Sequence, residues 1–517
     1  MSLTATAPPA TDFLADLDDG VAELTTSKVI EVLAVASEIA PLAGTGERAD
    51  AVGALPRALQ AEGVSVRTLV PGTPGVLDAL TGAETVATLP DLFGGPARIL
   101  AGEAAGLELL VVDAPHLYAG SGHPARETDE SGRDDDGLRY GALGLVAARI
   151  GLGLLPDYRP AIVHGHDWPA GLAAAFLHAA PGAKPKTVMT IHDLASPGQV
   201  SPETAEQLGL PPEVLGTDGA DHHGMPSLLK AGLVYADRVT TVSPTYAVEI
   251  MTPENGLGFD ALLRSRAASL TGIRNGIDDT VWDPAQDPDI AARYAIGDMA
   301  GRALNKEALQ RRFGLDAAPD ALLFGMVGPL STQKGLDLVL DALPTLFAVG
   351  GRLAIVGTGD AAIEGALRAA AERHPGRVGV VIGDDEPLAH LMQSGADAIL
   401  TPSRVEPCGR TQLCALRYGA VPVVARVGGL TDTVVDANEM ALAAGCATGI
   451  MVSPVTLAAL DVAIRRTAEI YRDPEDWAGM VVAGMATDVS WRRPARKLAA
   501  LYRDLLTPPT ADAGTPL

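Results

Sequence analysis

Short apolar runs of strand length punctuate the chain, separated by stretches with helical periodicity. In order they are KVIEVLAVA from Lys28, VSVRTLV from Val64, LELLVVD from Leu107, AIVHG from Ala161, KTVMT from Lys186 and RVTTV from Arg238. After a long gap the rhythm resumes with LLFGMV from Leu322, RLAIVG from Arg352, RVGVVI from Arg377, DAILT from Asp397 and VPVVA from Val421. Between the runs, ADAVGALPRALQAEG puts Val52, Leu55 and Leu59 on one helical face, with Gly63 as a stop. Strand and helix alternating over two separated blocks predict two doubly wound α/β domains. The expected boundaries are a disordered tail over residues 1–27, a Rossmann-like domain over 28–277 and a linker over 278–305. A second Rossmann-like domain over 306–487 follows, then a C-terminal helix over 488–506 and a disordered tail over 507–517. In such folds the strand C-termini open onto a crevice, and two facing domains make a cleft, so function is expected in the loops just after the strands.

Composition narrows the class. Hydrophobic residues make up 47% but aromatics only 4%, so packing relies on small and β-branched side chains, which suits buried parallel strands backed by helices. The 517 residues suffice for two domains of about 200 to 250 residues each. With 39 Lys and Arg against 64 Asp and Glu, the net charge is −25. That balance repels phosphate backbones and anionic bilayers, which excludes nucleic acid and membrane surfaces as expected partners. An anionic substrate then needs a local basic pocket. No apolar run approaches the ~20 residues of a spanning helix. The stretch MSLTATAPPATDFLADLDDG carries acids where a secretory signal needs positive charge, so a cytoplasmic location is expected. Cys408, Cys414 and Cys446 are too few for a disulfide framework and lack metal-ligand spacing. They read as reduced thiols, and neither a metal nor another cofactor is expected.

Candidate chemistry lies in the loops after the strands. Glu406 follows DAILT, and beyond Pro407, Cys408 and Gly409 a helix opens at Thr411 and Gln412. A helix start favours phosphate oxygens while a carboxylate orients sugar hydroxyls, although spacing alone equally allows Glu406 to cap that helix. His166 and Asp167 follow AIVHG, where imidazole and carboxylate can hydrogen-bond a sugar as charge grows on its anomeric carbon. An isolated pair of this kind is otherwise a histidine satisfied by its neighbour. Lys334 begins a helix after LLFGMV, placed to meet a phosphate or simply to face solvent. Asp135 lies in DDDGLRYGAL, an acidic run that by itself is a solvated face.

The segment PSRVEPCGRTQLCALRYGAVPVVARVGGLTDTVVD over residues 402–436 carries a family resemblance, together with HGHDWPAGL from His164 and KAGLVYADRVTTVSPTYAVEI from Lys230. QKGLDLVLDALP from Gln333, GIRNGIDDTVWDP from Gly272 and DVSWRRPARKLAALYRDLL from Asp488 extend it. Over residues 28–506 the chain resembles the bacterial glycogen synthase and plant starch synthase family, retaining glucosyltransferases of the GT-B fold. The resemblance implies ADP-glucose as donor and the non-reducing end of an α-1,4-glucan, such as glycogen, as acceptor. It implies a front-face displacement without a covalent enzyme nucleophile. By the same resemblance Glu406, His166, Lys334 and Asp135 are catalytic, and His192 and Asp193 face the acceptor. Donor contacts fall on Gly44, Thr45, Gly46 and Arg48 in the first loop, on Cys408, Gly409, Arg410 and Thr411, and on Gly428, Gly429 and Leu430.

Several positions depart from the family pattern. GTGERADA stands where KTGGLADV is usual, so Gly44 replaces a lysine, Glu47 a glycine and Arg48 a leucine. Pro329 replaces an arginine five residues before Lys334, Arg410 a leucine and Val427 a threonine, and Pro169 takes the place of the second histidine of HDWH. TIHDLASPG stands for TIHNLAYQG, so Asp193, Ser196 and Pro197 thin a sugar-stacking surface. A glutamate near a diphosphate is repulsive, so Arg48 is expected either to reach the phosphate in place of the lysine or to pair with Glu47 away from ligand. Each lost preorganised donor costs about 2.7 to 4 kcal/mol, so the phosphate clamp is weakened, compensated or lost. Two other functions follow from these departures: an impaired paralogue that binds glucan, or a related transferase with a changed donor or acceptor.

Overall fold

The computed structural model describes residues 29–44, 46–119 and 136–507. The tail expected over 1–27, the end of the chain past Thr507, and the candidates Thr45 and Asp135 lie outside them.

The first half builds strands β1 (Ile30–Val35), β2 (Val64–Pro71), β3 (Thr81–Leu89), β4 (Ala97–Ala104), β5 (Leu107–Asp113), β6 (Ile162–His166) and β7 (Lys186–Ile191). A two-residue hairpin follows, β8 (Asp221–His222) and β9 (Met225–Pro226), then β10 (Arg238–Thr241) and β11 (Leu270–Gly272). The second half adds β12 (Leu323–Val327), β13 (Arg352–Gly357), β14 (Val378–Ile382), β15 (Ala398–Thr401), β16 (Val421–Ala425) and β17 (Ile450–Val452). They form a nine-stranded sheet of order β11-β10-β7-β6-β1-β2-β5-β4-β3 and a six-stranded sheet of order β14-β13-β12-β15-β16-β17. Two Rossmann-like domains result, as the alternating pattern predicts.

Every apolar run seen in the sequence contains a strand; β6, β15 and β16 are buried along their whole length, as parallel strands covered by helices must be, while the edge strand β14 is buried only at Val378 and Gly379. The sequence reading missed β3 and β4, which pair antiparallel at the edge of the first sheet. Most of TGAETVATL is exposed, so it has no apolar run to announce it.

Strand order reverses between β1 and β6 in the first sheet and between β12 and β15 in the second. At such a switch point neighbouring connections leave in opposite directions and open a crevice at the strand C-termini. The loops after β1, β12 and β15 therefore hold Gly44, Lys334 and Glu406, and His166 is the last residue of β6.

The chain passes between domains twice, side by side. Ile277 and Ser490 form a parallel bridge, with the Ile277 amide donating to the Val489 carbonyl at 2.9 Å. After the second passage, the helix Arg492–Leu506 packs on the first domain, where Trp491, Leu498 and Tyr502 join Val32, Leu55, Leu59 and Ile162 in one core cluster. The outward connection is pinned to the second domain. Buried Asp287 accepts from Tyr418 Oη at 2.5 Å and pairs with His390 Nδ1 at 2.7 Å, and Trp282 stacks on His390 with centroids 3.7 Å apart. Asp287, Asp289 and His390 have the spacing of cation ligands, but they belong to this anchor rather than to the cleft.

Candidate active site between the two domains

On the second domain, Lys334 Nζ donates to both carboxylate oxygens of Glu406, at 2.9 and 2.8 Å, and Ser403 Oγ donates to Glu406 Oε2 at 2.9 Å. Glu406 is buried, so its charge must be paired, and the lysine does this. Burial opposes the Lys334 ammonium, but Glu406, Glu47 and Asp193 outweigh it and raise its pKa, so it stays charged. The helix at Lys334 begins only at Leu336, so the lysine lies in the preceding turn rather than in a helix as expected. Gly335 makes that turn with φ +77°, and a Cβ there would meet the Pro402 carbonyl oxygen at 2.3 Å. That close approach draws the Lys334 turn against the Glu406 loop.

On the first domain, His166 Nδ1 lies 3.0 Å from His192 Nε2, and His164 stacks on His166 with centroids 4.4 Å apart. His164 is fixed in turn by Tyr502 Oη and Thr190 Oγ1, each at 2.6 Å. Burial pushes the His166 pKa well below 6.5, helped by His192 and Arg48, and it takes His192 down to about 3. The imidazoles are therefore neutral donors and acceptors. Asp167 follows with φ +57° and ψ −175°, a region that residues other than glycine rarely adopt and that costs about 1–3 kcal/mol. It is held there by Arg48 Nη1, which donates at 3.1 Å, and by the His192 amide, which donates at 2.7 Å.

These neutral imidazoles leave a trace in acid. Below pH 6.5 the unfolded chain takes up protons that the folded histidines refuse, so stability falls with pH by up to about 1.4 kcal/mol per unit for each group. For His192 this loss runs from pH 6.5 down to its folded value of about 3. His192→Asn is expected to flatten the stability slope between about pH 6 and 4 by close to one proton. Urea unfolding across that range measures it, and an unchanged slope would contradict the assignment.

Across the cleft, the Arg410 backbone amide donates to Glu47 Oε1 at 2.6 Å, and the Arg410 guanidinium pairs with Asp50. Asp432 accepts from Ser243 Oγ at 2.5 Å and from Thr245 Oγ1 at 2.6 Å. The Gly428 amide donates to Glu249 Oε1 at 2.9 Å. Between the domains, Glu47, Pro329, Lys334, Ser403, Glu406 and Thr411 line a cavity of about 60 Å³.

The comparisons with known proteins match this two-domain layout. Residues 31–265 match the family model for the starch synthase catalytic domain, and residues 309–478 match that for glycosyl transferases group 1. The glycogen synthase of Rhodopseudomonas palustris strain BisA53 is 54% identical over 479 residues, which are 93% of this chain and 98% of that protein. The chain belongs to the glycogen synthase and starch synthase family. It is a glycosyltransferase of the two-domain GT-B type. The glycogen synthase of Acidiphilium cryptum strain JF-5 is 51% identical over 92% of this chain and 99% of that protein. The catalytic domain of Starch Synthase IV from Arabidopsis thaliana, solved bound to ADP and acarbose, matches with a TM-score of 0.83 at 27% identity. That match covers 92% of this chain and 99% of that one. Sucrose-phosphate synthase from Thermosynechococcus elongatus, at 18% identity and a TM-score of 0.57, shares the fold.

Within this family member the predicted residues divide into groups. Lys334 and Glu406 meet, and so do His166 and His192, while the Asp193 amide lies 3.4 Å from Asp167 Oδ1. Gly46, Gly409 and Thr411 sit around the Glu47–Arg410 contact, and Gly44 takes φ +89°, a conformation ill suited to the lysine usual in the family. Other expectations need correction. Arg48 neither reaches toward the phosphate loop nor pairs with Glu47, because Glu38 at 2.8 Å and Asp167 at 3.1 Å hold its guanidinium within the first domain. Leu430 is wholly buried against Val424, Ala425 and Val434, and its amide donates to Val427, so it supports the loop instead of facing the cleft. Cys408 is buried as well, and burial raises its thiol pKa far above the usual range. Gly428 and Gly429 allow close approach, since a Cβ would lie 2.0 Å from the backbone carbonyl oxygen of Glu406 and 2.1 Å from that of Cys408, respectively. Sequence reasoning missed Glu38, Ser403, Glu249, Asp432 and Tyr502. Glu249 lies within the quoted SPTYAVEI stretch, but spacing along one strand-and-helix unit says nothing about a partner across the cleft.

Proposed function

We propose that the protein transfers glucose from ADP-glucose to the non-reducing end of an α-1,4-glucan, with retention at the anomeric carbon. The observation that carries this is the buried Lys334–Glu406 pair of the second domain together with the neutral His166–His192 pair of the first, each at the switch point of its own sheet. In this proposal the Lys334 ammonium and the backbone amides opening the helix Thr411–Tyr418 stabilise the departing diphosphate. Glu406 orients glucose hydroxyls, and His166, being neutral, offers a hydrogen bond to the sugar without adding charge repulsion. Asp135 is proposed to complete the glucose site, and Asp193 to face the acceptor. The acceptor hydroxyl enters on the face from which the diphosphate leaves, so no covalent nucleophile is required. Drawing the domains together excludes water, which limits hydrolysis of the donor. A cytoplasmic location belongs to the same proposal.

The test is incorporation of labelled glucose into glycogen by the purified protein, from ADP-glucose and from UDP-glucose. Turnover with ADP-glucose exceeding that with UDP-glucose is expected. A folded protein that binds glucan yet incorporates glucose from neither donor would refute the proposal.

A further inference from the structure

Two of the departures from the family pattern meet each other. Glu47 stands where the family has glycine and Arg410 where it has leucine, and they lie 363 positions apart in the chain on opposite sides of the cleft. Glu47 Oε1 accepts from the Arg410 amide at 2.6 Å, at the mouth of the helix Thr411–Tyr418. Asp50, one turn further along the Glu47 helix, pairs with the Arg410 guanidinium. One residue of the second domain is thus gripped through its backbone and its side chain by two carboxylates of the first.

The carboxylate of Glu47 lines the same cavity as Lys334 and Glu406. It adds its negative charge to that of Glu406 in raising the Lys334 pKa. A diphosphate leaving group would draw on the same two resources, the amides at this helix start and the Lys334 ammonium. The cavity they line, about 60 Å³, is far below the roughly 300–1,000 Å³ of a pocket for a ligand of nucleotide-sugar size. Burial and the neighbouring Glu406 raise the Glu47 pKa while Lys334 and the Arg410 amide oppose the rise; the charged carboxylate repels the donor's phosphates and already holds an amide they need, so both cannot be served at once.

We propose that Glu47 is a built-in competitor for the donor: its carboxylate holds the phosphate end of the site and, with Asp50 and Arg410, latches the cleft shut until a nucleoside diphosphate sugar displaces it. The inference rests on the proposed function in taking this cavity as the place of the donor's diphosphate. The latch makes Glu47 a determinant of donor affinity rather than of the chemical step.

Calorimetric titration with ADP, on the full chain and on its Glu47→Ala and Glu47→Gln variants, tests it, with kcat and KM for ADP-glucose measured on each. Both variants are expected to bind ADP at least tenfold more tightly and to lower KM in parallel, with kcat changed by less than about threefold. The neutral glutamine keeps the size of the side chain, so a gain there isolates the charge. ADP binding that is unchanged or weaker in both variants would overturn the latch. ADP binding in none of the three proteins would instead overturn the assignment of the cavity to the donor, and the latch with it.

Discussion

Replacing Lys334 with alanine is expected to lower kcat/KM for glucose transfer by at least 10²- to 10³-fold, the effect of removing one preorganised donor to a developing negative charge. The expectation is large here for a structural reason. Where the family places further cations, this chain has Gly44 and Pro329, and the guanidinium of Arg48 is committed to Glu38 and Asp167. In the proposed function Lys334 would therefore carry more of the charge balance at the leaving group than one cation among three. Its removal also leaves the Glu406 carboxylate buried with Ser403 Oγ still donating to it but without its counter-charge. Steady-state kinetics with ADP-glucose, with unfolding monitored to show that the variant is folded, provide the check. Activity within about threefold of the unmodified protein would remove Lys334 from the role given to it.

Arg48→Ala is expected to act mainly on stability, lowering it by about 3–5 kcal/mol, because it strips the counter-ion from the buried carboxylate of Asp167. Burial already raises the Asp167 pKa despite the guanidinium, so without Arg48 that pKa rises further. A carboxyl that takes up a proton needs no partner. The deficit should therefore shrink as pH falls through the variant's Asp167 titration and be largest at neutral pH and above. Urea midpoints at several pH values measure this. A variant of unchanged stability that binds ADP more weakly would reinstate Arg48 as a phosphate ligand.

The fold was legible because buried parallel strands leave a strong local mark. KTVMT and VPVVA cannot be anything that faces water along its length, and their alternation with helices fixes the doubly wound class. The antiparallel β3 and β4 left no such mark, since an edge strand such as TGAETVATL satisfies its backbone on one side and exposes most of its side chains. The same division runs through the site. Glu406 and His166 could be found because one lies in the loop after a recognisable strand and the other at the end of one. The partners of Glu47 and Arg48 could not, because Arg410 and Asp167 are brought to them by domain facing and sheet order rather than by proximity in the chain. Two adjacent residues at the start of one helix, Glu47 and Arg48, accordingly serve opposite sides of the cleft.

The C-terminal helix has a consequence for biosynthesis. Tyr502, five residues before the last described position, fills the core around β1 and β6 and hydrogen-bonds His164 at 2.6 Å. The first domain is therefore completed by residues that are translated only after the whole of the second. Until the helix Arg492–Leu506 has been made, the nascent first domain exposes the apolar strip that Leu498 and Tyr502 will cover, and its row of histidines lacks one of its supports. A chain released before that helix, with its second domain whole, would still carry an unfinished first domain, so the fold ties maturation of the cleft to synthesis of the helix Arg492–Leu506.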